Sequence, residues 1–585
     1  MLKLAKYLKP FVPLFALAVG FLFLQAFCDL SLPNLMSRLV DGFLGQGGSE
    51  NSGSVSILRL GLQMLAIALT GGAAAIGVSF ISTRIAAGIA RDLRFEVFQK
   101  VESFSSNEFD TFSTASLITR CTNDITQVQQ IFVMGIRMIC YAPIMGIGGI
   151  IMAIQKAPAM SWIIVLAVLI LISITAMLIS IVMPKFKIIQ DLIDRLNRIA
   201  RETLNGLMVI RAFSAQEHEE NRFDGVNKDL ANATVFVNRI MNLMMPSMQF
   251  IMNSAILLII WIGAHRIASS VMGVGDMMAF IQYTMQIIFS FLFFSMMFVI
   301  IPRTAVSAER IVQVLETEIS IQDPAMPKEG GTASGRRRGA RVEFRDVSFR
   351  YKGAAADVLK DISFSAESGQ TTAIIGATGS GKSTIVNLIL RFYDVSGGSI
   401  TVDGADIREL SQKDLRSRIG YVPQKSMLLS GPVSFNLRYG KPDASDAEIR
   451  EGAEIAQAAD FIEARPGGFE SVLAQGAANV SGGQKQRLSI ARALVRDPEL
   501  LIFDDSFSAL DFATDARLRQ ALEEKRKEVT KIIVAQRAGT IMQAEKIVVL
   551  EKGRIAGMGT HQELMKTCVE YREIAESQIN QEAVS

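Results

Sequence analysis

Cysteine is scarce in this 585-residue chain: Cys28, Cys121, Cys140 and Cys568 are the only four, and none stands in a CxxC or CxxxH spacing. That scatter argues against a zinc site and against a disulfide framework, and leaves four isolated apolar side chains. Histidine is scarcer still, with His218, His265 and His561 the only three. Charge is thin as well. Only 20% of residues are Asp, Glu, Lys or Arg, and the formal net charge of +3 is too small an excess to support nucleic acid as a partner. Apolar residues are what the chain has, at 50%, with a mean hydropathy of +0.31. A chain of this length is too large for one domain and too apolar for an ordinary soluble protein, so a membrane part plus a soluble part is expected.

Long apolar runs are absent after residue 302 and crowd the region before it. Stretches near the ~20 residues a helix needs to cross a bilayer lie around 11–30, 61–82, 131–154, 161–183, 247–267 and 277–301, which predicts six spans. Gly71, Gly72 and Gly77 dilute the second, and Arg137 interrupts the third. The first follows Lys3, Lys6 and Lys9 as a signal peptide would, but its long core, the lack of a small-residue cleavage site and the five later runs favour a membrane span.

Lysine and arginine orient the spans. The connection 84–130 carries Arg84, Arg91, Arg94, Lys100 and Arg120, and 184–242 carries Lys185, Lys187, Arg195, Arg198, Arg201, Arg211, Arg222, Lys228 and Arg239. The connections near 46–58 and 268–275 have none, and 155–160 has only Lys156. Those two basic connections, and with them both termini, are expected in the cytoplasm. In RDLRFEVFQKV (91–101) and from Ile188 to Ile210, apolar residues recur every three or four positions, which predicts amphipathic helices continuing the spans. Legs of about 24 residues would reach roughly 35 Å below the membrane.

The stretch KEGGTASGRRRG (328–339) is polar, glycine-rich and without apolar periodicity, and reads as a flexible tether. The expected division is therefore an all-α transmembrane domain over 1–315, a linker over 316–340 and an α/β domain over 341–585. In the last, RVEFRDVSF (341–349) alternates like a strand, and TTAII (371–375) reads as a buried strand entering a glycine-rich turn. That turn, GATGSGKS (376–383), matches G-x-x-x-x-G-K-[ST] in full and precedes the helical run TIVNLIL (384–390). Gly376, Gly379 and Gly381 let the backbone N–H groups, with those of Thr378, Ser380 and Thr384, face phosphate oxygens. Lys382 reaches the terminal phosphates of ATP, and the Ser383 hydroxyl can ligate Mg²⁺. LLIFD (500–504) supplies a second buried strand, ending in Asp504 as a metal-binding carboxylate.

VSGGQKQR (480–487), shortly before that strand, resembles the signature motif of ATP-binding-cassette (ABC) proteins. Other family elements fall in order: Tyr351 resembles the aromatic residue that stacks on adenine, Gln424 the glutamine facing Mg²⁺ and the membrane domain, and SALD (Ser508, Ala509, Leu510, Asp511) the loop across the dimer seam. ASLITRCTND (115–124) and RETLNGLMVIRAF (201–213) are similar to cytoplasmic segments of six-helix ABC exporters, so the resemblance covers essentially the whole chain. It implies a multidomain transporter half whose nucleotide domain pairs head to tail with another. Each ATP then lies between one domain's phosphate loop and the other's signature motif, here Ser481, Gly482, Gly483 and Gln484. It also implies coupling segments within 84–130 and 184–242 that touch the nucleotide domains, and ATP with Mg²⁺ held by Ser383, Gln424 and Asp504.

Two positions depart from the family pattern. Where a catalytic glutamate usually follows the metal-binding aspartate, this chain has Asp505, one methylene shorter; where a switch histidine follows KIIVA (531–535), it has Gln536. Ala474 also replaces a glutamate that many relatives carry before the signature motif. Together, Asp505 and Gln536 point to a degenerate site in one subunit of a heterodimeric exporter of a bacterial cytoplasmic membrane, like those of heterodimeric multidrug exporters. Alternatives are a homodimer using Asp505 as a slower base, an ATP-gated channel, or an importer-type relative for siderophores; six apolar runs count against a soluble ABC protein. Drugs, lipids and peptides are the substrate classes the resemblance implies. The cluster FSFLFFSMMF (289–298) reads either as an adaptable cavity lining or as a lipid-facing and helix-packing surface. Arg137 and Asp41 are the charges nearest the membrane interior, either facing an aqueous cavity or, for Asp41, marking the external interface and, for Arg137, snorkelling.

Overall fold

The computed structural model describes residues 2–45, 50–328 and 339–582. Most of the predicted tether, 329–338, lies outside the described residues. Two compact units emerge, one of residues 1–102 and 114–317, the other of 103–113 and 318–585.

The first unit is helical. Its elements are α1 (Val12–Gly45) and α2 (Glu50–Glu102), then, after α3 (Ser106–Thr111) of the second unit, α4 (Thr114–Thr119), α5 (Ile125–Gly135), α6 (Ala142–Lys156), α7 (Ser161–Asn205), α8 (Leu207–Ala212), α9 (Gln216–Asn242), α10 (Met244–Ala268) and α11 (Val274–Glu316). Single turns of π-helix, Arg120–Asp124 and Ile136–Tyr141, join α4, α5 and α6 into one rod. Six stretches are long and apolar enough to cross a membrane among the described residues. At 53 residues α2 spans about 80 Å, more than twice the ~30 Å hydrocarbon core, so its polar end extends well outside.

The apolar run expected as one helix from Ile188 to Ile210 is broken. α7 ends at Asn205, Gly206 caps it, and the separate short helix α8 follows. α8 has no buried residue, and Met208 and the adjoining Phe213 are 79% and 80% exposed.

Small residues let the helices approach closely. A Cβ on Gly71 of α2 would stand 3.1 Å from the Cys28 Cβ on α1, and one on Gly149 of α6 would fall 2.9 Å from Ile287 of α11. At one end of the unit the Lys156 ammonium contacts Asp276 at 2.7 Å, Ser37 donates to the same carboxylate at 2.8 Å, and the Gly275 N–H donates to Asp41 at 2.7 Å. Of the two places expected for Asp41, a cavity in the membrane interior or the interface at a span end, the second fits this terminal cluster. Twelve positions earlier on α1, Asp29 accepts from the Tyr141 hydroxyl at 2.5 Å and its carbonyl from Gln286 at 3.1 Å. At 1.5 Å per residue Asp29 lies about 18 Å from Asp41 along the helix, which makes it the deeper charge.

The second unit is built on a six-stranded sheet. With β1 (Val342–Phe349), β2 (Leu359–Ala366), β3 (Thr371–Gly376), β4 (Gly397–Val402), β5 (Ile419–Val422), β6 (Leu500–Asp504), β7 (Thr530–Val534), β8 (Lys546–Glu551) and β9 (Arg554–Gly559), its order is β9-β8-β3-β7-β6-β5. All pairs are parallel except β8–β9. β3, β6 and β7 are buried along almost their whole length, as strands are when helices cover both faces of a parallel sheet. An antiparallel sheet, β2-β1-β4, packs beside it through a core that includes Phe344, Phe364 and Ile374. Asp504 and Val534 are paired in register, so the ends of β6 and β7 open on the same edge as the end of β3. Ligands of open α/β sheets bind at such carboxyl edges.

Candidate functional site

At that edge β3 turns through the glycine-rich loop into α12 (Lys382–Ile389). Gly379 and Gly381 have φ of +82° and +102°, and a Cβ on Gly381 would come within 2.5 Å of Leu359, so both turn geometry and packing require glycine there. The loop closes around its own lysine: the Lys382 ammonium donates to the carbonyls of Gly376 at 2.7 Å and Ala377 at 2.9 Å. Burial depresses the Lys382 pKa, and the carboxylates of Asp505 and Asp504 partly restore it. The Ser380 hydroxyl is buried without a hydrogen-bond partner. A buried donor left open inside a phosphate-loop turn fits an anionic ligand.

Ser383, in the first turn of α12, donates to Asp504 at 3.1 Å. The next residue, Asp505, has a left-handed backbone at φ +49°, its N–H held by the Val534 carbonyl at 2.9 Å. One oxygen of its carboxylate accepts from both glutamine side chains, Gln536 at 2.8 Å and Gln424 at 3.3 Å. Burial raises the pKa of both aspartates, against the pull of Ser383 on Asp504 and of Gln424 on Asp505, with Lys382 opposing the rise at both. These residues, with Thr378 and Thr384, line a cavity of about 270 Å³. Tyr351, just past β1, reaches Thr384 through its hydroxyl at 3.0 Å and stands edge-on to Tyr393, ring centres 5.1 Å apart.

The other predicted motif residues lie elsewhere. Ser481 caps α13 (Gly482–Val495) in a reciprocal box, accepting from the Gln484 N–H at 3.3 Å while its own N–H donates to the Gln484 side chain at 3.0 Å. A Cβ on Gly483 would press on the Ala509 carbonyl at 3.2 Å, so the loop Ser508–Asp511 packs against the start of this helix. Asp511 in turn caps α14 (Phe512–Lys525), accepting from Thr514 at 2.9 Å, and Ser508 donates to the Asp505 carbonyl at 2.8 Å. Neither Ser481–Gln484 nor Ser508–Asp511 lines the phosphate-loop cavity.

The donor set suits a nucleotide with a hard divalent cation. Mg²⁺ takes one or two protein oxygens and completes its shell with phosphates and water, which matches the neighbouring Ser383 and Asp504. Among the described residues no cluster of three or more His, Cys, Asp or Glu offers an all-protein metal cage.

Reading the sequence missed Asp29 and Tyr141, although a carboxylate inside the first apolar run was a visible signal. It also missed Tyr393 and Asp110, joined across the second unit at 2.8 Å, which no local pattern connects.

Residues 15–291 match the family described as ABC transporter transmembrane region, and residues 359–508 the one described as ABC transporter. An uncharacterized ABC transporter ATP-binding protein of Mycobacterium tuberculosis (strain CDC 1551 / Oshkosh) is 39% identical over 98% of this chain and 97% of its own length. An ATP-dependent lipid A-core flippase of Desulfotalea psychrophila is 32% identical over 88% of each chain. The solved structure of a bacterial Atm1-family ABC exporter with ATP bound superposes with a TM-score of 0.81 at 25% identity, over 97% of this chain and 98% of that one.

Proposed function

The chain belongs to the ABC transporter family, an ATP-dependent exporter with membrane and ATP-binding parts in one polypeptide, and from that premise we propose that it is the slow-site subunit of a heterodimer. Its phosphate loop binds MgATP, and its signature motif, Ser481 to Gln484, completes the faster site on a different partner. The observation that carries this reading is the Asp505 carboxylate, bridged by the Gln424 and Gln536 amides. A carboxylate one methylene short stands about 1 Å back from an attacking water, a misplacement that can lose roughly 100-fold in rate. Gln536 can donate a hydrogen bond to a phosphate oxygen but brings no positive charge to the transition state.

In this reading Lys382, Ser380 and the loop amides bind and orient the phosphates, Tyr351 stacks on the base, and Ser383, Asp504 and Gln424 hold Mg²⁺. The cation, when bound, neutralises phosphate charge. The bare helix α8, with Met208 and the adjoining Phe213 exposed, supplies an apolar surface for the partner's nucleotide domain. Residues 1–315 form the membrane domain, 316–340 the linker and 341–585 the cassette, with both termini on the cytoplasmic side of a bacterial inner membrane. The relative named for lipid A-core flipping supports a lipidic amphipath as substrate.

One observation favours a second reading. Asp505 lines the same cavity as Lys382, Ser383 and Asp504, and burial holding its carboxyl above the ordinary range suits a homodimer in which Asp505 activates water itself. The two readings separate on ATP hydrolysis by the full chain alone in lipid, beside the double variant Asp505→Glu with Gln536→His. A slow parent and a large gain in the variant are expected; brisk turnover by the parent, lost in Asp505→Asn, would establish the homodimer.

A further inference from the structure

The segment after β7 carries Gln536, and its backbone is held from an unexpected quarter. The C-terminal helix α15 (Val569–Glu582) is anchored by Tyr571 and Ala575, both fully buried in the core of the second unit. The Tyr571 hydroxyl is fixed further by His561 Nδ1 at 2.7 Å. Positions 571, 575 and 578 recur at i, i+4 and i+7, so the anchored face also carries Gln578. Its Nε2 donates to the Gln536 carbonyl at 2.8 Å, and its Oε1 accepts from the Ala538 N–H at 2.7 Å. The side-chain amide thus acts as a neighbouring strand would, satisfying an acceptor and a donor two residues apart.

We propose that Gln578 is a positioning residue for the nucleotide site: by clamping the 536–538 backbone it aims the Gln536 side chain at Asp505 and at a bound terminal phosphate. This role rests on the proposed function, in which Gln536 and Asp505 face the nucleotide. Two directional bonds fix the peptide that carries Gln536, and the 2.8 Å contact from Gln536 Nε2 to Asp505 follows from that placement. Arg537, between the clamped residues, lies over the Phe512 ring at 5.9 Å, a second restraint on the same turn. Through α15 the C-terminal helix therefore governs how firmly this site retains ATP.

The test uses the full chain in lipid with a fluorescent ATP analogue and Mg²⁺, following analogue dissociation and hydrogen exchange at the Ala538 amide. Gln578→Leu removes both bonds and Gln578→Glu keeps only the acceptor. Ala538 exchange is expected to rise about fivefold or more in Gln578→Leu, the change one lost hydrogen bond brings. Analogue dissociation should quicken about three- to tenfold in Gln578→Leu, with Gln578→Glu intermediate and both variants still folded. Because both residues act through one contact, Gln536→Ala with Gln578→Leu should be no faster than the stronger single variant. Unaltered Ala538 exchange, unaltered dissociation despite faster exchange, or additive effects in the double variant would each overturn the proposal. Failure of the parent to bind the analogue would sink the nucleotide-site reading instead, and with it the role proposed for the clamp, whatever the exchange at Ala538.

Discussion

Tyr393 donates its phenol to the Asp110 carboxylate at 2.8 Å, joining residues 283 positions apart in the sequence. Asp110 lies on α3, a helix whose start is locked by a capping box between Ser105 and Glu108, and which packs with the cassette although the sequence places it between two membrane spans. The Tyr393 ring stands edge-on to Tyr351, the proposed adenine platform, and Phe349 touches both. Burial first, then the bond to Asp110, raises the Tyr393 pKa, so the phenol stays protonated and donating throughout the physiological range.

A base bound on Tyr351 and the position of α3 therefore share one neighbour. Tyr393→Phe keeps the ring and removes the bond, a loss of about 1.5–3 kcal/mol for a hydrogen bond to a charged group. ATP affinity should stay within about twofold, since 1.4 kcal/mol would already be tenfold and the ring packing survives. Hydrogen exchange in α3 should rise and lose its response to ATP. A variant whose α3 still responds to nucleotide as the parent does would show that the bond transmits nothing.

The paired aspartates make a prediction about pH. Burial holds Asp505 above its unfolded value, so between the two values the folded chain binds more protons than the unfolded one. The resulting penalty is fully present above the folded pKa and fades as pH falls through it toward the ordinary carboxylate range. Without nucleotide, Asp505→Asn should be more stable than the parent at neutral pH, and the difference should shrink on acidification through that window. Thermal melts of both proteins across pH measure it; a gap that widens as pH falls would contradict the burial argument. MgATP affinity should move the opposite way, weakening as protons compete for Asp504, which is raised for the same reason.

Much of the cassette was legible in the sequence because its chemistry is local. The phosphate loop needs glycines at fixed spacing between a strand and a helix, and β3, Gly376–Ser383 and α12 fall where that spacing puts them, with the helix opening two residues earlier than the apolar run suggested. The six apolar runs were legible for a similar reason, since length and composition alone decide them. The break at Gly206 was not, because the apolar period runs through it from α7 into α8 and only the backbone turn separates them. Asp29 stands in plain view as a carboxylate inside the first apolar run, but its partners Tyr141 and Gln286, like those of Tyr393 and Gln578, lie far away in sequence, and pattern reading has no access to such pairs without the fold.

Lys156 and Asp276 offer a test in the first unit. They meet at 2.7 Å with 22% and 30% of their side chains exposed, and Ser37 donates to the same carboxylate oxygen, so the pair is partly withdrawn from water and joins α1, α6 and α11. Removing one partner leaves the other charge half-buried and uncompensated, whereas removing both replaces two desolvated ions with apolar packing. Lys156→Met and Asp276→Leu should each destabilise the chain by about 1–3 kcal/mol, while the double variant recovers at least half of the larger loss. Unfolding in detergent measures all four proteins as a double-mutant cycle. Strict additivity of the two losses would mean that the ammonium and the carboxylate are each held by other neighbours and do not stabilise one another, whatever their distance.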